Sequence, residues 1–73
     1  MLRFEIKIYS TDNDLIGSIA EDNRKKITNI FCDTSIISKK ILHDNLGLNN
    51  DIEIDCMILF DNKNNNIMSE YIF

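Results

Sequence analysis

Alternation over residues 51–60, DIEIDCMILF, constrains this chain more than any other feature. A period of two places successive side chains on opposite faces of an extended strand, and no helix reproduces it. The apolar set is Ile52, Ile54, Cys56, Ile58 and Phe60, and the alternate set opens with Asp51, Glu53 and Asp55. One strand is therefore expected to carry an apolar face and an acidic face. The Asn-rich stretch DNKNNN follows at 61–66, and IMSEYIF completes the segment. Asn and Asp tolerate left-handed backbone, so strand, turn and strand make a hairpin over 51–73.

Residues 2–10, LRFEIKIYS, alternate as cleanly, with Leu2, Phe4, Ile6 and Ile8 opposed to Arg3, Glu5, Lys7 and Tyr9. Thr11, Asp12, Asn13 and Asp14 then read as a turn. Residues 15–23 admit two readings. As a strand they fold back on the first, with Gly17 a bulge or a point of close approach. As a helix they carry a stripe of Leu15, Ile16, Ile19 and Ala20, which Gly17 and Ser18 weaken, so propensity favours the strand. The charged run EDNRKK at 21–26 reads as a connection, and ITNIFC at 27–32 as a third strand of imperfect alternation. Asp33, Thr34 and Ser35 supply N-cap chemistry for a helix over ISKKILHDNL, closed by Gly47. Ile37, Ile41, Leu42 and Leu46 form its apolar face, against Lys39, Lys40, His43 and Asp44. The expected order is β-β-β-α-β-β in a single domain, 1–73. That is an α+β fold, a small mixed sheet of about five strands with one helix packed on one face. The uncovered face would carry Tyr9, Met57, Leu59 and either Met68 or Tyr71.

A chain of 73 residues buries only about 60–65% of its unfolded surface, so little core is available to it. Ile accounts for 14 residues and Asn for 10, with no Val or Pro, as an AT-rich coding sequence from a bacterium, its phage or a eukaryotic virus would give. A net charge of -4 disfavours direct binding to nucleic acid or an anionic membrane and permits a partner with a basic surface. Cys32 and Cys56 each sit in an apolar run, outside any C-x-x-C pair, and read as buried free thiols. The charged, alternating N-terminus is unlike a signal peptide, and no apolar run reaches the roughly 18 residues that span a bilayer. The expected location is the cytoplasm, of the host cell if the source is viral.

Period-two spacing would set the carboxylates of Asp51, Glu53 and Asp55 about 6.6–6.8 Å apart along one strand face, an acidic ridge able to imitate a row of phosphates. The plainer alternative is a solvated face paired across the sheet with Arg3 and Lys7. Asp12-Asn13-Asp14 resembles the opening of a calcium loop but lacks the closing Glu, Asn23 standing at the twelfth position, so turn chemistry accounts for it. Arg24-Lys25-Lys26 and Lys39-Lys40 have acids beside them and no interleaved aromatics to stack bases. His43, the only histidine, suits a helix C-terminus. No serine lies in a nucleophile motif and neither glycine in a phosphate-cradling loop. The expectation is no enzyme, no cofactor and no metal.

In its shortness, acidity, lack of catalytic groups and AT-rich coding, the chain resembles small phage-encoded host-takeover inhibitors. Sliding-clamp inhibitors and DNA-mimic inhibitors are the nearest types. The resemblance is one of composition and covers the whole chain loosely. It implies a non-enzymatic protein that blocks a host replication, transcription or nucleoid protein, the sliding clamp foremost. The residues themselves nominate Asp51, Glu53, Asp55 and Asp61 for the contact, with Asp44 and Glu70 as outliers. An alternative is an assembly module, a homodimer or strand-adding adaptor built on the apolar strand that ends in Ile72 and Phe73. A thiol-based redox or metal role would rest on Cys32 and Cys56 alone.

Overall fold

A computed structural model describes residues 2–36 and 39–73, leaving aside the side chains of 34–36. The elements are β1 (Phe4–Ser10), β2 (Leu15–Glu21), α1 (Arg24–Ile36), α2 (Lys39–Leu46), β3 (Ile54–Asp61) and β4 (Asn66–Ile72). The four strands form one sheet in the order β2-β1-β3-β4, antiparallel at every pairing. The fold is α+β, as expected. The expected third strand is absent from it, and among the described residues there are two helices rather than one.

The reason lies in residues 27–32. Ile27, Ile30 and Phe31 stand at i, i+3 and i+4, a helical stripe that looks like broken alternation when a strand is sought. Ile27 and Phe31 are buried in the core and Ile30 packs against it. The start signal is Asn23, whose Oδ1 accepts the Lys26 amide at 3.1 Å and whose carbonyl accepts that of Ile27 at 3.0 Å. Asp33, Thr34 and Ser35 consequently lie inside α1 rather than ahead of a helix.

The second helix closes as expected. Gly47 takes φ 66°, its amide reaches Asp44 O at 3.4 Å, and Leu48 N reaches His43 O at 2.9 Å. These two bonds make a Schellman closure. The face of α2 is rotated from the expected one: Leu42 and His43 are buried and Leu46 packs on the core, while Ile41 is exposed. The expected apolar position Ile37 lies outside the described residues.

Residues 15–23 take the strand reading. The pairing of β2 with β1 shifts between Ile8 and Tyr9, which face Gly17 and Leu15 and leave Ile16 as the extra residue. Gly17 is also a close approach: a Cβ built there would stand 3.0 Å from Leu46 Cδ1. The helices thus cover the face of the sheet that carries Phe4, Ile6 and Ile8 of β1 and Ile54, Met57 and Leu59 of β3.

That core corrects the expected face of β3. Pairing with β1 shifts between Tyr9 and Ser10, which face Cys56 and Ile54, so Asp55 is an inserted bulge residue. Beyond the bulge the alternation changes phase. Met57 and Leu59 turn into the core, while Cys56, Ile58 and Phe60 lie half-buried on the open face. Residues 56–60 are all apolar, so period two cannot choose between their faces; the partners Ile6 and Ile8, opposite Leu59 and Met57, do.

Candidate functional site

The acidic stretch is not a strand row. Asp51 and Ile52 belong to a turn, with Ile52 N bonded to Asn49 O at 3.1 Å, and β3 begins only at Ile54. Of Asp51, Glu53 and Asp55, only Asp55 is in the strand, at the bulge, where its carbonyl accepts the Phe73 amide at 2.9 Å. A regular ladder of carboxylates is therefore ruled out for these three, although all are exposed.

What forms instead is an acidic end. The turn between β1 and β2 lies beside the entry to β3, because Thr11 N donates to Glu53 O at 3.3 Å. That turn is built by Ser10, whose Oγ accepts the amides of Asp12 and Asp14 at 3.3 Å each, and by Asn13 at φ 66°. Its two aspartates, read from sequence only as turn residues, are exposed on the same end of the sheet as Glu53. Among the described residues, none of Asp12, Asp14, Asp51, Glu53 and Asp55 pairs with a cation.

At the opposite end the balance reverses. Arg3, Arg24, Lys25, Lys26 and Lys63 gather where β1 begins, α1 begins and β3 turns into β4. The acids there are engaged: Glu21 meets Lys26 Nζ at 3.3 Å, Asp22 accepts the Arg3 amide at 2.7 Å, and Asp61 is paired with Arg3.

Asp61, a candidate contact residue from sequence, is 4% exposed. Both its oxygens accept Arg3, from Nε and Nη2 at 3.3 Å each. It also accepts the amides of Lys63 and Asn64 at 3.0 and 3.3 Å, and Asn64 Nδ2 at 2.8 Å. The Arg3 guanidinium, aided by these donors, holds the carboxyl below the usual aspartate range. Asp61 thus builds the hairpin turn, with Asn65 at φ 54°, and has no free face to offer a partner. It also lines a cleft of about 390 Å³ between Arg3, Arg24, Asn64 and Met68.

The other two candidates lie apart. Asp44 is exposed on α2, on the helix side of the sheet. Glu70 is exposed on β4 across from Ile58, on the open side, where its charge reaches the Cys56 thiol. Burial first, then Asp55 and Glu70, push that thiol above its ordinary value, which disfavours a reactive thiolate. Cys32 is exposed on α1, against the expectation of burial, and neither cysteine forms a disulfide. Among the described residues no group of His, Cys, Asp and Glu is placed to hold a metal ion, and no helix is long and apolar enough to cross a membrane.

His43, expected on the solvent face, is buried. Its Nδ1 lies 2.7 Å from Lys39 O and its Nε2 meets Ile52 O. The ring so joins α2 to the segment that carries Asp51 and Glu53.

No protein-family model, curated protein or solved structure matches the chain.

Proposed function

We propose that the chain is a small non-enzymatic binding protein that docks through its acidic end on a basic surface of a host protein. A protein built to bind or encircle DNA is the partner that such a surface fits, the sliding clamp foremost. The observation that carries this reading is the Thr11–Glu53 bond, which adds Asp12 and Asp14 to Asp51, Glu53 and Asp55 and leaves five unpaired carboxylates together among the described residues. Bases at the other end make the molecule dipolar, so a basic groove would both attract and orient it. Asp61 takes no part, being spent on Arg3 and its own turn.

The experiment compares the wild type with the D12N/D14N/D51N/E53Q/D55N variant. Both are used to capture partners from host lysate and to compete with DNA for a purified sliding clamp. The variant should bind about tenfold or more weakly, and the wild type should lose affinity as salt rises. Equal affinity of the two forms would remove the acidic end as the site.

A second reading has its own support in β4. This edge strand carries the exposed Ile67, Tyr71 and Ile72, at 57, 38 and 69%, and Glu70 is its only charge. An apolar, uncovered edge is a template for strand addition, by a second copy or another chain. Light scattering over a range of concentration should then show a dimer that the I72K variant loses; a monomer throughout would refute self-pairing.

A further inference from the structure

The ring of His43 touches two carbonyl oxygens, Lys39 O through Nδ1 and Ile52 O through Nε2. A carbonyl only accepts, and a neutral imidazole has one N–H, so either neutral tautomer faces one carbonyl with a lone pair. Only the imidazolium donates to both. The two carbonyls belong to different parts of the fold. Lys39 is one turn back on α2, whereas Ile52 lies in the turn that leads into β3.

We propose that His43 is a pH-operated latch: as the imidazolium it ties the 49–53 segment to α2, and on losing a proton it releases that segment while α2 and the sheet stay folded. Among the described residues the segment has few other ties: its backbone bonds are Ile52 N to Asn49 O, within itself, and Thr11 N to Glu53 O, to an exposed turn. Ile52 is only partly buried, and Asp51 and Glu53 on either side of it are exposed.

Charged neighbours act on the cation after the two carbonyls. On its own helix Asp44 favours it and Lys39 opposes it, and from the latched segment Asp51 and Glu53 flank the accepting carbonyl. Beneath α2 the core face of the sheet carries charge only at its far end, at Asp61 and Glu21, which pair with Phe4. The Ile52 carbonyl and then the Lys39 carbonyl raise the ring above its ordinary value, and this outweighs burial. A folded value above the unfolded one means that the latch's stabilisation is complete below the unfolded value, about 6.5, and is lost as pH rises through the folded one. The latch depends on no partner, so it stands or falls apart from the binding proposal.

His43 is the only histidine, so its ring signals in a nitrogen-15 NMR titration need no assignment. Both ring nitrogens should be protonated at low pH, with a midpoint above about 6.5. Amide exchange, corrected for intrinsic rates, is followed across that midpoint. Protection of the Ile52 and Thr11 amides should fall about tenfold or more, the scale of one charge-assisted hydrogen bond, while Ile6 and Leu59 hold theirs. In H43Q, whose amide donates without titrating, protection should not change with pH. A ring that titrates at or below the ordinary value, or protection at Ile52 independent of pH in the wild type, overturns the latch. If H43Q does not fold, the wild-type titration and exchange decide alone.

Discussion

Replacing Met57 by Ala tests the bulge at Asp55 and the core it creates. Met57 is 0% exposed and sits opposite Ile8, itself 0% exposed, at the centre of the sheet. Truncating a buried Met costs about 2–5 kcal/mol, the lost transfer energy plus the cavity. A 73-residue domain is expected to be stable by roughly 4–11 kcal/mol, so this one change removes a large share. Each kcal/mol lowers the melting temperature of a domain this size by about 4–8 °C, so M57A should melt roughly 10 °C or more below the wild type. The neighbour Ile58, half-buried on the open face, is the internal control. I58A removes a similar volume but leaves a site open to solvent, and should cost about 1 kcal/mol. Thermal and urea melts followed by circular dichroism read both. The order carries the test, because uninterrupted alternation from Ile54 would put Ile58 in the core and Met57 outside. An I58A variant as unstable as M57A would refute the phase change.

Three further outcomes are expected. Gly17→Ala should be tolerated within about 1 kcal/mol, since Leu46 Cδ1 can retreat by a few tenths of an ångström, whereas Gly17→Val should cost about 1–3 kcal/mol in urea melts. Asp61→Asn should lower stability at neutral pH and flatten the acid limb of the stability curve. A depressed carboxyl contributes above its unfolded pKa and loses that contribution as pH falls through its folded one, which Asn cannot do. Asn23→Ala removes the cap of α1 and should cost about 1 kcal/mol, a shift of several degrees in the melt.

Much of this fold is legible in the chain read alone. The first strand, the turn at Asp12 to Asp14, the closing hairpin and the Gly47 helix end follow from local chemistry: alternation, left-handed turn residues and a C′ glycine. Two of the misreadings share one cause. Residues 27–32 and 56–60 are short apolar runs, and in such runs periodicity does not discriminate well. Ile27, Ile30 and Phe31 satisfy a helix stripe and a poor strand almost equally, and the Asn23 cap tips the balance. Residues 56–60 are apolar on both faces, so only a bulge could decide which face is buried.

The candidate site divides in the same way. That the chain is acidic, with carboxylates crowded at 51, 53 and 55, is a property of the sequence and needs no fold. Their arrangement is tertiary. The sheet register sets the turn holding Asp12 and Asp14 against Glu53, forty residues away and unrelated to it by any spacing rule. The same register carries Asp61 to Arg3 and removes it from the surface, because a buried carboxylate must be paired. His43 lies next to Asp44 in a helix whichever way that helix is turned. Only packing α2 on the sheet directs its ring to Ile52 and leaves two acceptors that a single proton cannot satisfy. Local chemistry thus determined which residues this protein carries and most of its elements. Which face is buried, which charges meet and which stay free were decided by pairing between strands far apart in the chain.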